Sequence, residues 1–456
     1  MESVLLMSLG IVAFLVFWLL AVFPALPFLP IGRTSGSLLG AVLMVVFQVI
    51  SPTEAYDSID LSILGLLFGT MMVSVYLETA DMFKYLGVLL QWKSLGPKDM
   101  IFRICIVSGI GSALFTNDTI CFTLTNFILK LSREQNISPL PFLLAFASSA
   151  NIGSSMTPIG NPQNLVISSE SKISFADFLL GLLPATISGL VVNALLLLCF
   201  YWRSLSAPNE RVDAIIVEGI NRDGLDERSL LHGSEEEQAL PISETTEENS
   251  AKGSWQRVLW KTGVYVVVVG MLTSYLAGFN MSWTAITSAL ALVVIDFKDA
   301  AQYIEKVSYI LLVFFCGMFI TVQGFDDTGI PGAFWDLMEP YSQITTVGGV
   351  AVLGVVVVIL SNLVSNVPTV LLLGSKIAAA AAAISAAEEK RAWLILAWVS
   401  TVAGNLTLVG SAANLIVCEQ AGRSPQFPYT LSFAQHFVFG VPSTIIVTAL
   451  GLTLIR

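Results

Sequence analysis

Residues 157–164 read TPIGNPQN in the middle of one apolar run, and residues 407–414 read TLVGSAAN in the middle of another. Each follows a shorter polar interruption, Thr116-Asn117-Asp118-Thr119 in the first case and Ser365-Asn366-Val367-Pro368 in the second. Asn117 precedes Asn164 by 47 residues and Asn366 precedes Asn414 by 48, so the two halves repeat at an offset near 250. Polar breaks of this kind persist in hydrocarbon only where they are paired or line a cavity. Matching breaks in two halves therefore mark a binding site between internal repeats of a membrane protein.

Composition fixes the medium. The chain has 456 residues, 55% hydrophobic and 12% charged, with a mean hydropathy of +0.78. Soluble domains carry about twice that charged fraction, and several apolar runs approach the roughly 20 residues a helix needs to cross a bilayer. The fold class is an all-α polytopic membrane protein. Its first apolar segment, 4–28, is too long and has too few early charges for a cleaved signal peptide, so it is the first span. The five Cys lie singly without a CxxC pair, which favours neither a disulfide scaffold nor a thiolate metal site, and no cofactor is expected. Much of the net charge of −11 lies between Arg203 and Arg257, a stretch holding Glu235, Glu236, Glu237, Glu244, Glu247 and Glu248. Such a segment cannot bury enough apolar surface to fold alone. Residues 203–257 read as an acidic, disordered cytoplasmic linker between a first unit, 1–202, and a second, 258–456; a regulatory docking segment is the alternative.

Hydropathy places spans near 4–28, 33–51, 59–80, 175–201, 258–278, 281–296, 307–323 and 431–455, with interrupted helices near 140–168 and 392–418. The runs 101–131 and 344–380 are cut by the shorter polar clusters. Around residues 116–119 each arm has about a dozen residues, roughly 20 Å at 1.5 Å per residue and short of the ~30 Å hydrocarbon core. A re-entrant hairpin is expected. Five spans and one hairpin per half make an odd number of crossings, so the second half is inverted relative to the first. Charge agrees: Lys84, Lys93, Lys98 and Arg103 precede the first hairpin, whereas Asp326, Asp327 and Glu339 precede the second. The positive-inside rule puts the first group in the cytoplasm and the second outside, with Arg33 inside, Glu54, Asp57 and Asp60 outside, and both termini external.

Asp118 is the foremost site candidate, because an acid held at membrane depth costs several kcal/mol and is retained for function. It is expected to bind a cation or a proton; capping the second hairpin arm is the alternative. Thr116, Asn117 and Thr119 surround it with hydroxyls and an amide. In the other half Asn366 and Thr369 keep the polar groups while Val367 replaces the acid, so the site is asymmetric. Pro158 and Pro162 break their helix, and Asn151, Ser155, Thr157, Gly160, Asn161, Gln163 and Asn164 give it a dense polar lining. Asn405, Thr407, Gly410, Ser411 and Asn414 repeat that lining. Gly69 and Gly317 are expected to allow close helix contact. His436 reads as structural, and Lys376 as snorkelling to the interface in preference to pairing with a carboxylate.

No Walker A sequence, dinucleotide fingerprint or HExxH occurs, and no basic surface suits a nucleic acid, so a transporter driven by an ion gradient is expected and not an enzyme. The stretches VFWLLAVFPALPFLPIGRTSGSLLGAVL (16–43), SIDLSILGLLFGTMM (58–72), SALFTNDTICFTL (112–124) and ASSANIGSSMTPIGNPQNLVI (147–167) resemble a superfamily of ion transporters. It holds arsenite pumps of the ArsB type, NhaD-type sodium/proton antiporters and dicarboxylate carriers, and within it the chain most resembles the plant silicon efflux transporters. That resemblance implies a scaffold carrying a mobile unit with both hairpins and both broken helices. It also implies efflux of silicic acid in exchange for protons at the plasma membrane, and possible assembly as a homodimer. By the same resemblance Thr116–Thr119 and Asn366–Thr369 are hairpin tips. A dicarboxylate beside Asp118 would meet like-charge repulsion with no arginine expected nearby, which favours a small uncharged hydroxylated acid. An arsenite or borate carrier and a sodium/proton antiporter stay open.

Overall fold

The computed structural model describes residues 2–22, 32–92, 95–206, 246–296, 301–425 and 427–455. The proline series 24–30 and the central acidic stretch, 207–245, lie outside the described residues. Every regular element among the described residues is helical. The first half contains α1 (Glu2–Val22), α2 (Gly32–Val46), α3 (Pro52–Asp57), α4 (Leu61–Thr79), α5 (Met82–Gln91), α6 (Pro97–Phe115), α7 (Asn117–Glu134), α8 (Pro139–Ser154), α9 (Pro162–Ser171) and α10 (Phe175–Tyr201). The second contains α11 (Thr246–Leu276), α12 (Met281–Asp296), α13 (Ala301–Ile304), α14 (Tyr309–Asp327), α15 (Ile330–Met338), α16 (Val347–Val364), α17 (Asn366–Ala382), α18 (Ala386–Ala403), α19 (Ala412–Gly422) and α20 (Phe433–Leu454). Each helix of the first half thus has its counterpart ten helices later. Seven helices among the described residues are long and apolar enough to cross a membrane.

Three boundaries differ from the hydropathy pattern. The polar stretches 84–103 and 326–339, which hydropathy leaves between spans, overlap the helices α5 and α15. Helix α11 starts at Thr246, so residues 246–257 of the expected linker are helical. The hairpin arms α6 and α7 have 19 and 18 residues, about 28 Å each, and not the dozen inferred from the apolar run alone. Arm length therefore does not establish a hairpin; the backbone does. Thr116 sits at φ +82°, ψ 144°, and a Cβ placed on Gly111 would lie 2.9 Å from the side chain of Ile120. Nine residues of continuous helix would separate those positions by about 13 Å, so the chain folds back. Ser365 repeats the junction at φ +86°, ψ 155°. Neither residue is Gly, and such angles in other residues persist only where the surroundings enforce them.

Helices α2 and α14 run side by side in the same direction. Thr34 Oγ1 donates to the carbonyl of Ile310 at 3.3 Å, Gly317 abuts Ser37, Gly40 abuts Thr321, and Gly324 abuts Met44. The repeat-related pair α12 and α4 does the same, with Gly65 against Ser282 and Gly69 against Ala285. The end of α2 leads through α3 to the start of α4, and Glu54 on α3 is electrostatically coupled to Asp327 at the end of α14. The starts of α4 and α12 therefore lie where α2 and α14 end. Lys261 on α11 meets Asp81, just past the end of α4, at 2.5 Å, which holds that carboxyl below its ordinary range. Lys376 does not snorkel: its ammonium pairs with Asp326 at 2.6 Å, because the second hairpin arm passes the end of α14.

Gly69 and Gly317 serve the close contact expected of them. A Cβ on either would lie 2.7 Å from the backbone of the facing helix, an approach that backbone cannot relieve. Gly317→Leu should cost more than the 1–3 kcal/mol typical of overpacking. A thermal melt of the purified protein should show a large fall, with Gly270→Ala as a neutral control since nothing lies within 4 Å of that position.

Candidate functional site

The helix that starts at Pro139 stops at Ser154, passes a short 3-10 turn at Pro158–Gly160, and restarts at Pro162. Its counterpart stops at Ala403, passes Leu408–Gly410, and restarts at Ala412. Each break frees backbone carbonyls in a buried place, where an unpaired polar group costs about 1–3 kcal/mol. One asparagine per half repairs it. Asn164 Nδ2 donates to the carbonyls of Ser154 and Thr157, both at 3.1 Å, and Asn414 Nδ2 donates to those of Gly404 and Thr407 at 2.7 and 3.1 Å. Gly160 lets its turn close, because a Cβ there would meet the Ser154 carbonyl.

The two breaks are tied across the repeat. Asn161 caps α9 by accepting from the Asn164 amide at 3.0 Å and donates to Thr401 Oγ1 at 3.1 Å. Ser411 caps α19 through the Ala413 amide and donates to Asn151 Oδ1 at 2.9 Å. Asn151 and Thr401 are repeat counterparts, as are Asn161 and Ser411, so one contact recurs with the halves exchanged. Asn151 is the hub. Its amide nitrogen donates to Asn405 Oδ1 at 2.8 Å and Asn414 Oδ1 at 3.0 Å, and its oxygen accepts from Ser411 and, at 3.0 Å, from Asn117 Nδ2. All four hydrogen-bonding positions of the side chain are filled.

Most of the polar residues expected to line a pocket are engaged in this framework. Thr157 donates to the Ala113 carbonyl at 2.5 Å, Ser155 meets Thr186 at 3.1 Å, and Asn405 donates to the Ser148 carbonyl at 3.1 Å. Thr407 donates to Asn362 Oδ1 at 2.9 Å, and Thr369 to the Ser365 carbonyl at 2.9 Å. Thr116 and Thr119 bond one another at 3.0 Å, and Thr116 also accepts from the Thr119 amide. His436 is buried against the Asn405 carbonyl, its Nε2 at 3.0 Å.

Four of the sixteen expected site residues, Asn117, Asp118, Asn366 and Ser411, do line a common cavity of about 700 Å³. Gln163 joins them, together with Ser361, Asn362, Ser365 and Gly410, and Phe17, Phe314, Phe315 and Met318 add apolar lining. Ser361 Oγ and Asn366 Oδ1 are buried in this region with no protein hydrogen-bond partner. Capping does not occupy Asp118: Thr116 is the cap of α7, and the backbone amide of Asp118 bonds Asn117 Oδ1 at 2.9 Å. Its carboxylate is half-buried and faces the cavity.

One lining residue reverses an expectation. Arg33, in the first turn of α2, lines the same cavity and is electrostatically coupled to Asp118. Sequence placed it as a topology-setting charge at the cytoplasmic interface and expected no arginine near Asp118. The available signal was a lone cation opening an apolar helix in the polar cluster Gly32-Arg33-Thr34-Ser35. Among the described residues Arg33 and Asp118 are the only charged groups lining the cavity.

Two folded-back tips and two broken helices around one cavity define a multi-pass membrane transporter and not an enzyme. The chain belongs to the citrate transporter family, whose model (CitMHS) matches residues 15–403. It is 56% identical to a silicon efflux transporter of Oryza sativa subsp. japonica over 98% of this chain and 97% of that one. It is 30% identical to a putative transporter, arsB, of Dictyostelium discoideum over 94% of this chain and 88% of that one. Among solved structures, the Alcanivorax borkumensis YdaH transporter aligns over 99% of this chain and 97% of that one, with a TM-score of 0.48 and 12% identity.

Asn164→Ala and Asn414→Ala each remove the bonds that span one break and should lower stability by similar amounts, about 1–3 kcal/mol each. Asn151→Leu strips four partners at once and should cost more than either. Thermal melts of the three variants decide this; an Asn151→Leu melt matching the unaltered protein would remove Asn151 from the centre of the framework.

Proposed function

We propose that this chain exports silicic acid, or a similarly small uncharged hydroxylated metalloid acid, in exchange for protons by alternating access. The observation that carries this is the charge balance of the cavity. With Asp118 ionised, Arg33 and Asp118 sum to zero, so a neutral solute enters without an uncompensated charge, whereas a dianion would leave the cavity strongly negative. Sodium would share the space with a guanidinium, which disfavours the sodium/proton alternative. The unpartnered Ser361 Oγ and Asn366 Oδ1 in this cavity suit a ligand made of O–H groups. The rice relative carries silicon efflux in its name.

Alternating access is supported by an asymmetry between equivalent positions. Met318, Ser365 and Val409 line the 700 Å³ cavity, while their repeat counterparts Thr70, Thr116 and Ile159 enclose only about 10 Å³. The tips are open on one side and shut on the other, the difference that inverted repeats exchange during transport. The open side holds the starts of α2 and α14, which the positive-inside rule assigns to the cytoplasm, so this conformation faces inward. Asp118 is the proton site in this reading. It takes a proton from outside as the solute leaves and gives it up inside. Units 1–202 and 258–456 form the two inverted repeats, and a plasma-membrane location and homodimeric assembly belong to the same proposal.

The test is efflux from proteoliposomes loaded in turn with silicic acid, arsenite, borate, sodium and citrate, with and without an acid-outside pH gradient. Silicic acid efflux should rise with the gradient, and Asp118→Asn should abolish that rise. Flux of sodium or citrate with no metalloid flux would overturn the substrate assignment, and an Asp118→Asn protein with undiminished proton dependence would overturn the coupling role.

A further inference from the structure

We infer that Arg33 is the fixed counter-charge of Asp118, and that the two form an ionic latch across the cavity, drawn together when Asp118 is ionised and released when its carboxylate binds a proton. The two residues belong to separate packing units. Arg33 is carried by α2, which packs on α1 and α14, whereas Asp118 lies next to Asn117, which is anchored to the broken-helix framework through Asn151. An attraction between them therefore acts between the units and not within one.

Helix stability does not account for Arg33. It occupies the first turn of α2, where the positive end of the helix dipole repels a cation. Asp118 lies in the first turn of α7, where the same effect favours an anion. No ion pair as short as 4 Å holds Arg33 among the described residues, and the charges facing it are Asp118 and, on α19, Glu419. The titratable groups facing Asp118 are Arg33 and Cys121, one turn further along α7. Repeat symmetry does not supply the pair either: Val367 stands where Asp118 would recur, and Met281 and Ser282 stand where Arg33 would. Both charges of the latch come from the first half, which gives the molecule one proton-sensitive connection.

The proton enters from water in the cavity, adds to a carboxylate oxygen, and leaves the guanidinium charged and unpartnered. The attraction that opposes separation of the two units is then lost.

The latch extends the proton-coupled reading, and its test does not require the transported solute to be known. Melting temperatures of the purified protein in nanodiscs are measured for Arg33→Gln, Asp118→Asn and the double variant, at about pH 8 and about pH 5. At the higher pH each single variant leaves one charge unbalanced, so the double variant should lose clearly less than the sum of the two single losses. At the lower pH the shortfall from additivity should shrink, and Arg33→Lys should retain it at the higher pH. Where silicic acid flux is available, Arg33→Gln should move the pH of half-maximal efflux upward by about one unit or more, since a nearby cation favours the ionised acid. Additive losses at both pH values would overturn the latch whatever solute is carried. Silicic acid flux failing while the non-additivity holds would overturn the substrate assignment alone.

Discussion

Two helices interrupted side by side inside hydrocarbon are the constraint on which the rest of this structure depends. A break frees carbonyls that neither lipid nor distant water can satisfy, and each half answers with an asparagine that spans its own break, Asn164 in one and Asn414 in the other. The repairs are joined through Asn151 on the first broken helix, whose four partners come from the second broken helix and from the first hairpin tip. Tip position follows from break position. Thr157 holds the carbonyl of Ala113 just before one tip, and Thr407 holds Asn362 just before the other.

Sequence revealed this arrangement where the signal was a polar residue in the wrong medium. The tips at Thr116 and Ser365 and the breaks at Thr157–Gly160 and Thr407–Gly410 lie where the repeated motifs place them, because apolar surroundings leave little else for such residues to do. What could not be read was the division of labour among them. Asn151, Asn161 and Asn414 have the composition of a ligand pocket, yet their hydrogen bonds go to the two breaks and to the contacts that join them. Only three-dimensional pairing separates a satisfied amide from an unsatisfied one such as Asn366. Hairpin length was misjudged for a related reason: Lys98, Asp99 and Arg103 lower the hydropathy of the first arm, but Arg103 is neutralised by Asp99 one turn away at 2.6 Å, so the helix continues through them.

Arg33 escaped because a cation at the end of an apolar run usually sets topology. Its place in the cavity follows from the parallel packing of α2 on α14. That contact, made close by Gly317 and Gly40, sets the start of α2 beside the start of α14 and therefore beside Ile310, Leu311 and Phe314, which share the cavity with Arg33. The local cluster Gly32-Arg33-Thr34-Ser35 marks the residue as unusual, but its place in the cavity is set by glycines elsewhere in the chain.

The sense of coupling in the proposed cycle depends on the charge of the solute once Arg33 and Asp118 share one cavity. With Asp118 ionised the cavity is neutral and the carboxylate accepts strong hydrogen bonds from a hydroxylated solute. With Asp118 protonated the cavity carries one positive charge, and the carboxyl group accepts fewer and weaker bonds. A neutral polyol-like acid thus binds best to the form that has lost its proton. An anion would bind best to the form that has gained one. The first case makes proton and solute mutually exclusive, which is exchange; the second makes them companions, which is cotransport. A single pair of side chains can support either direction of coupling within one family, with the ionisation of the solute as the deciding variable.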